Sequence, residues 1–112
     1  MPNIDVIDIR DIDLSSLDIH TIRHGRLTLR AVPALNLELR LDETKQLLCV
    51  EHGGLALDVF APTREALLAA LNEQIAMLWT EYARAEDDTL DSVARRLKQA
   101  LLAAFTEVRD AA

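Results

Sequence analysis

The chain has 112 residues and a net charge of −7, and half of its residues are hydrophobic. That length suits one domain, the apolar share argues against global disorder, and the acidic balance argues against a phosphate-binding surface. With one cysteine, Cys49, no intrachain disulfide is available, and no apolar run approaches the roughly twenty residues that span a membrane.

The first stretch, "NIDVIDIRDIDL", sets Asp5, Asp8, Asp11 and Asp13 among aliphatic residues, with the alternation slipping at Val6–Ile7 and again at Arg10–Asp11. It reads as an acidic N-terminal arm or edge strand over residues 1–18. Ile4, Val6, Ile7, Ile9, Ile12 and Leu14 would dock on the body while the aspartates face water or a basic partner. Asp11 and Asp13 could share one strand face and contribute to a two-metal site, though further ligands would have to come from elsewhere. The spacing does not fit a calcium loop, because no glycine occurs before Gly25. The acidic start has no basic region followed by an apolar run, so no secretory signal is expected, and the expected location is cytoplasmic.

"LDIHTIRHGRLTLR" reads as extended. His20 and His24 would lie about 13 Å apart on a strand, too far to share a metal. Arg23, His24, Arg26 and Arg30 form a local basic island. On one extended segment they would point in different directions, so direct nucleic-acid binding is not expected.

Leu27 and Leu29 begin an alternation that Pro33 interrupts. "LNLELRLD" then alternates Leu35, Leu37, Leu39 and Leu41 with polar residues, the period of a half-buried strand. "DETK" at 42–45 is a turn candidate. "QLLCV" and "LALDVF" are further strands, separated by a break at His52–Gly54. Cys49 is expected to be a buried cysteine rather than a reactive thiolate, which wants a cationic and partly open setting. Short strands over 19–61 with short breaks suggest an antiparallel meander.

At "APTREALL" the period changes. Pro62 stops the strand, Thr63 suits a helix N-cap and Glu65 suits the first turn. Leu67, Leu71, Ile75, Leu78 and Tyr82, widened by Leu68 and Trp79, predict an amphipathic helix over 63–84. Trp79 and Tyr82 lie three apart and so share a face, either as packing or as a partner surface. Asp88 and Thr89 are cap candidates for a second helix over 89–109, with Leu90, Val93, Leu97, Leu101, Phe105 and Val108 as its stripe. The similar segments "ALLAALNE" and "ALLAAFTE" match by composition, not as a helical repeat, since the first half of the chain is strand-like.

The fold class expected is α+β: one domain with a three- to four-stranded antiparallel sheet followed by two C-terminal amphipathic helices. The stretch "QLLCVEHGGLALDVFAPTREALLAALNEQIAMLW", residues 46–79, resembles the HicB-type antitoxin fold. In that family a small antiparallel sheet runs through a turn into an amphipathic helix. Here "APTREALLAAL" occupies the turn and helix start, and Gly53–Gly54 resembles the family's Pro–Gly turn. The span from glycine to threonine is longer than the family's, and Pro62 replaces its turn acid. The tail from 89 is one predicted helix, too little for the DNA-binding module that the family often adds. The resemblance therefore implies toxin binding rather than operator binding, with no catalytic residue to carry over.

The expectation is a non-enzymatic, antitoxin-like protein that occludes a small basic toxin and forms homo-oligomers, with no cofactor, resident metal, nucleic acid or membrane. Its partner-binding candidates are Asp5, Asp8, Asp11, Asp13, Trp79 and Tyr82. Two alternatives stand beside it: a structural oligomerisation module without a toxin, and a metal-dependent, nuclease-like enzyme built on the aspartates.

Overall fold

The computed structural model describes residues 13–108. Asp5, Asp8 and Asp11, and with them most of the acidic arm, lie outside the described residues. The class is α+β, with five strands preceding the two helices and a short sixth after them, and the strands divide between two antiparallel sheets of three. β1 (Leu17–His24), β2 (Leu27–Leu37) and β6 (Thr106–Glu107) form the first in the order β1-β2-β6. β3 (Arg40–Leu41), β4 (Leu48–His52) and β5 (Leu57–Ala61) form the second in the order β3-β4-β5.

The alternation from Leu35 to Leu41 was expected to make one strand. It makes two, one in each sheet, because the pairing ends at Leu37 and resumes at Arg40. Burial nevertheless alternates without a break, since Leu37 and Leu39 are both in the core. A chain that keeps its inward face while changing sheets turns a corner between two layers.

Pro33 lies within β2 rather than between two strands. The β1–β2 register jumps from Ile19↔Leu35 to Thr21↔Arg30. His20 and the four residues Ala31–Ala34 are left without cross-strand partners. Pro33, after a cis Val32–Pro33 peptide, sits in this bulge, where no ladder N–H is required of it. The bulge also explains a phase slip in β1, whose buried residues run Leu17, Ile19 and then Ile22.

The β1–β2 connection is a two-residue turn of Gly25 and Arg26, with Gly25 at φ +60°. Positive φ at the first central position suits a type II′ hairpin turn, the glycine-specific solution. The "DETK" turn forms as expected. Asp42 Oδ1 accepts from the backbone N–H of Gln46 and Leu47, and Oδ2 accepts from the Thr44 hydroxyl. Those bonds hold the Asp42 carboxyl below the usual carboxylate range, the Thr44 hydroxyl contributing most.

α1 (Arg64–Leu78) starts at Thr63, whose side chain accepts from the Ala66 N–H. It buries Leu67, Leu71, Ile75, Ala76 and Leu78. Two polar side chains on the helix serve the sheets: Asn72 accepts from the Arg23 N–H of β1, and Gln74 accepts from the Asp58 N–H of β5. α1 therefore packs against an outer strand of each sheet. The core gathers Ile22, Leu29, Val50, Leu67, Leu71, Ile75 and Leu101 between the layers.

Beyond α1 the helix widens to a π turn over Trp79–Ala83, where the Arg84 N–H reaches the Trp79 carbonyl. α2 (Ser92–Ala104) begins at Asp91, whose side chain accepts from the Ala94 N–H; the expected cap residues Asp88 and Thr89 lie instead in a short 3₁₀ turn. α2 also stops earlier than the stripe predicts. Phe105 turns extended, Thr106 and Glu107 pair with Arg30 and Leu29, and Val108 donates to Thr28. Pairing with β2 outweighs the helical period there.

Candidate functional site

The second helix carries its apolar stripe incompletely covered. Leu101 is the only residue of α2 that is buried. Phe105, just past the helix, joins it in the core, and Leu90 and Leu97 are half-buried. Val93, at the other end, is 71% exposed. An amphipathic helix docked along its whole length would bury that stripe throughout. Here the C-terminal half docks and the N-terminal half stands over a hollow.

That hollow is a cleft of about 450 Å³ between α2 and the β4–β5 turn. Its walls include Val93, Leu97 and Ala94 of α2, Tyr82 of the π turn, and Gly53–Gly54 below. Asp91 and Arg96 stand at its rim. A second, more apolar cleft of about 350 Å³ lies farther along α2, between Ala100, Ala103 and Ala104 and the Pro33–Asn36 stretch of β2. Gly54 lines both. A Cβ at Gly54 would come within 3.3 Å of the His52 ring. His52 is held in turn, its Nδ1 accepting from the Leu55 N–H at 3.1 Å, so it is a turn residue as its sequence context suggests.

The acidic stretch Glu86–Asp88 leads toward α2. It is pinned rather than loose. Lys98 Nζ donates to the Ala85 carbonyl and to Asp87 Oδ1, and Arg95 Nε donates to the Asp87 carbonyl. The hydrogen bond from Lys98, with its charge, keeps the Asp87 carboxyl ionised below its ordinary range. Glu86 and Asp88 remain exposed.

Trp79 and Tyr82 both turn toward the core, the first within it and the second half-buried against it. Trp79 points inward and is 4% exposed, leaving its indole no face to offer a partner in this conformation. Its Nε1 donates to Glu107 Oε1 at 2.7 Å, and Arg84 donates to the same oxygen from Nε and Nη2. Tyr82 is half-buried and lines the cleft. Glu107, which sequence reasoning did not single out, thus joins β6 to the end of the long helix. A lone glutamate near the end of a predicted helix gives no signal of that role.

Of the four comb aspartates named as partner contacts, only Asp13 lies within the described residues. Its Oδ1 accepts from both the hydroxyl and the N–H of Ser15, bonds that lower its pKa, the hydroxyl most. Arg64, at the start of α1, donates to the Asp13 and Ser15 carbonyls and lies 3.6 Å from Asp13 Oδ2. Asp13 therefore anchors the entry to β1, with an exposed carboxylate.

Cys49 is buried, 2% exposed, yet it does not belong to the contiguous core. Its row in the second sheet is Arg40↔Cys49↔Phe60, on the face opposite Val50 and Val59. Its cover is a thin one of neighbouring side chains, including the half-exposed Phe60. Burial pushes its thiol pKa up, away from the reactive thiolate. Among the described residues no group of three or more His, Cys, Asp or Glu side chains gathers to hold a metal, and no helix is long and apolar enough to cross a membrane.

The α+β class is as far as the architecture identifies the chain. Comparison with protein-family models, with curated proteins and with solved structures finds no match. Residues 46–79 form a hairpin followed by a capped helix, an order common to many folds, which does not bear on the HicB-type resemblance.

Proposed function

We propose that this is a non-enzymatic protein-binding protein whose contact face is the uncovered half of α2. One observation carries the reading: Val93, 71% exposed, continues the helical stripe over an open cleft, while Leu97 beside it is half-buried against the core. Tyr82 supplies the amphipathic aromatic edge suited to such contacts, and Trp79 holds the turn from behind. The net charge of −7 favours a small basic partner. In its antitoxin-like form the proposal is occlusion: apolar contact through α2 covers a cationic working surface of the partner, in the cytoplasm.

The test is a pull-down at low salt with mass spectrometry, run beside the variants Val93→Asp and Tyr82→Ala. The expected result is a stoichiometric small basic protein held by the wild type and lost from Val93→Asp, with unchanged circular dichroism. Light scattering of the purified chain distinguishes self-association. A dimer that Val93→Asp converts to monomer, with no captured partner, would replace the toxin reading with the oligomerisation module. Equal capture by wild type and both variants would remove α2 from the site.

A further inference from the structure

The arginines that scatter along one extended segment are gathered by the hairpin. Thr21 pairs with Arg30 and Arg23 pairs with Thr28, so Arg23 and Arg30 are diagonal neighbours across β1 and β2. Such neighbours sit roughly 7–8 Å apart on one face. That face is the outward one, because the intervening pair, Ile22 and Leu29, is fully buried. β6 extends it with Thr106, paired to Arg30. Arg26 stands in the turn at the hairpin tip. His24 belongs to the opposite side, lining a hollow with Glu73 of α1 and Glu81 of the π turn. Among the described residues no acid pairs with Arg23, Arg26 or Arg30. Asp18, the acid on the same ribbon, lies toward its far end and accepts from the Asn36 amide.

We propose that this outward face of β1, β2 and β6 binds the phosphodiester backbone of duplex nucleic acid, without sequence preference. Three guanidinium groups alternate with the hydroxyls of Thr21, Thr28 and Thr106, the donor types that backbone phosphates accept from. An acidic peptide would gain its best contacts along a strand edge, through main-chain bonds. Here the donors stand on a face and are all side chains, and β1 already gives its Arg23 N–H to Asn72. The acidic charge elsewhere does not cancel the patch at moderate salt, since charges beyond about 10 Å are largely screened at 0.1 M. This surface is separate from the α2 cleft, and the inference does not rest on the proposed function.

Fluorescence anisotropy of a labelled duplex of about 20 base pairs tests it, with DNA and RNA duplexes as parallel arms. Three phosphate contacts give a slope of log affinity on log salt of about −2.7, or about a fortyfold loss between 50 and 200 mM salt. Arg26→Ala, in an exposed turn, should lower that slope by about one. Arg23→Glu with Arg30→Glu should weaken binding at least about tenfold while circular dichroism is unchanged, and Val93→Asp should leave it as in the wild type. Binding of one duplex type alone narrows the ligand to DNA or to RNA. The proposal fails if neither duplex binds at 50 mM salt, if the arginine variants bind like the wild type, or if polyglutamate binds and the duplexes do not.

Discussion

Removing the carboxylate of Glu107 tests whether β6 locks the long helix. In Glu107→Ala the Trp79 indole N–H loses its acceptor while its side chain stays buried. An unsatisfied buried donor costs about 1–3 kcal/mol. The lost Arg84 pair adds less than about 1 kcal/mol, because Arg84 is half exposed and solvent screens the pair. The total is about 1–4 kcal/mol. At roughly 4 °C per kcal/mol for a domain of this size, Tm should fall by about 4–16 °C. Glu107→Gln keeps an acceptor oxygen for the indole and should lose about 1 kcal/mol or less. Urea unfolding followed by fluorescence reads the site directly, since Trp79 is the only tryptophan. In a Trp79→Phe background, Glu107→Ala should cost about 1–2 kcal/mol less than in the wild type. A Glu107→Ala protein within about 0.5 kcal/mol of wild type would refute the reasoning. So would a Gln variant as unstable as the Ala variant.

Leu101→Ala should cost about 2–5 kcal/mol by leaving a cavity where α2 meets the core, whereas Val93→Ala should change stability by less than about 0.5 kcal/mol; equal losses in thermal melts would mean α2 is docked along its whole length. Asp13, Asp42 and Asp87 all have folded pKa values below their unfolded ones. The stability they lend is therefore present above about pH 4 and lost as pH falls through the lowered values. Asp42→Asn should flatten the fall in urea stability as pH drops below about 4, and an unchanged slope would discount the turn. Cys49 should react slowly with a thiol reagent at pH 8, and Phe60→Ala should speed the reaction by thinning its cover. Rapid labelling of the wild type would show the thiol to be open.

The strands and helices were legible because each obeys its own period. Leu35 to Leu41 alternates, and Leu67, Leu71 and Ile75 recur at helical spacing, with Thr63 marking the start. What the periods could not carry was partnership. The alternation is the same whether a strand stays in one sheet or turns into another, so the corner at Glu38–Leu39 left no mark. The stripe through Phe105 and Val108 fits a helix, but pairing with β2 decided otherwise. The spacing put Trp79 and Tyr82 on one face without showing that Trp79 would be buried and Tyr82 left at a cleft. The arginines were judged one strand at a time, whereas the hairpin sets Arg23 and Arg30 on one face. The half-covered α2 lay furthest beyond the sequence, since periodicity marks an apolar face without saying what covers it.

The two amides of α1 give that helix a second office. Asn72 and Gln74 each occupy a backbone donor on an outer strand, β1 on one side and β5 on the other. Replacing them with leucine would suit the helix and leave the core intact, so such a variant could melt almost where the wild type does. It would differ in company rather than alone: strands with donors open at their margins recruit further strands as concentration rises. For this chain, solubility and thermal stability are under the control of different residues, and a helix that stabilises the fold through Leu71 and Ile75 protects it from its neighbours through the residues between them.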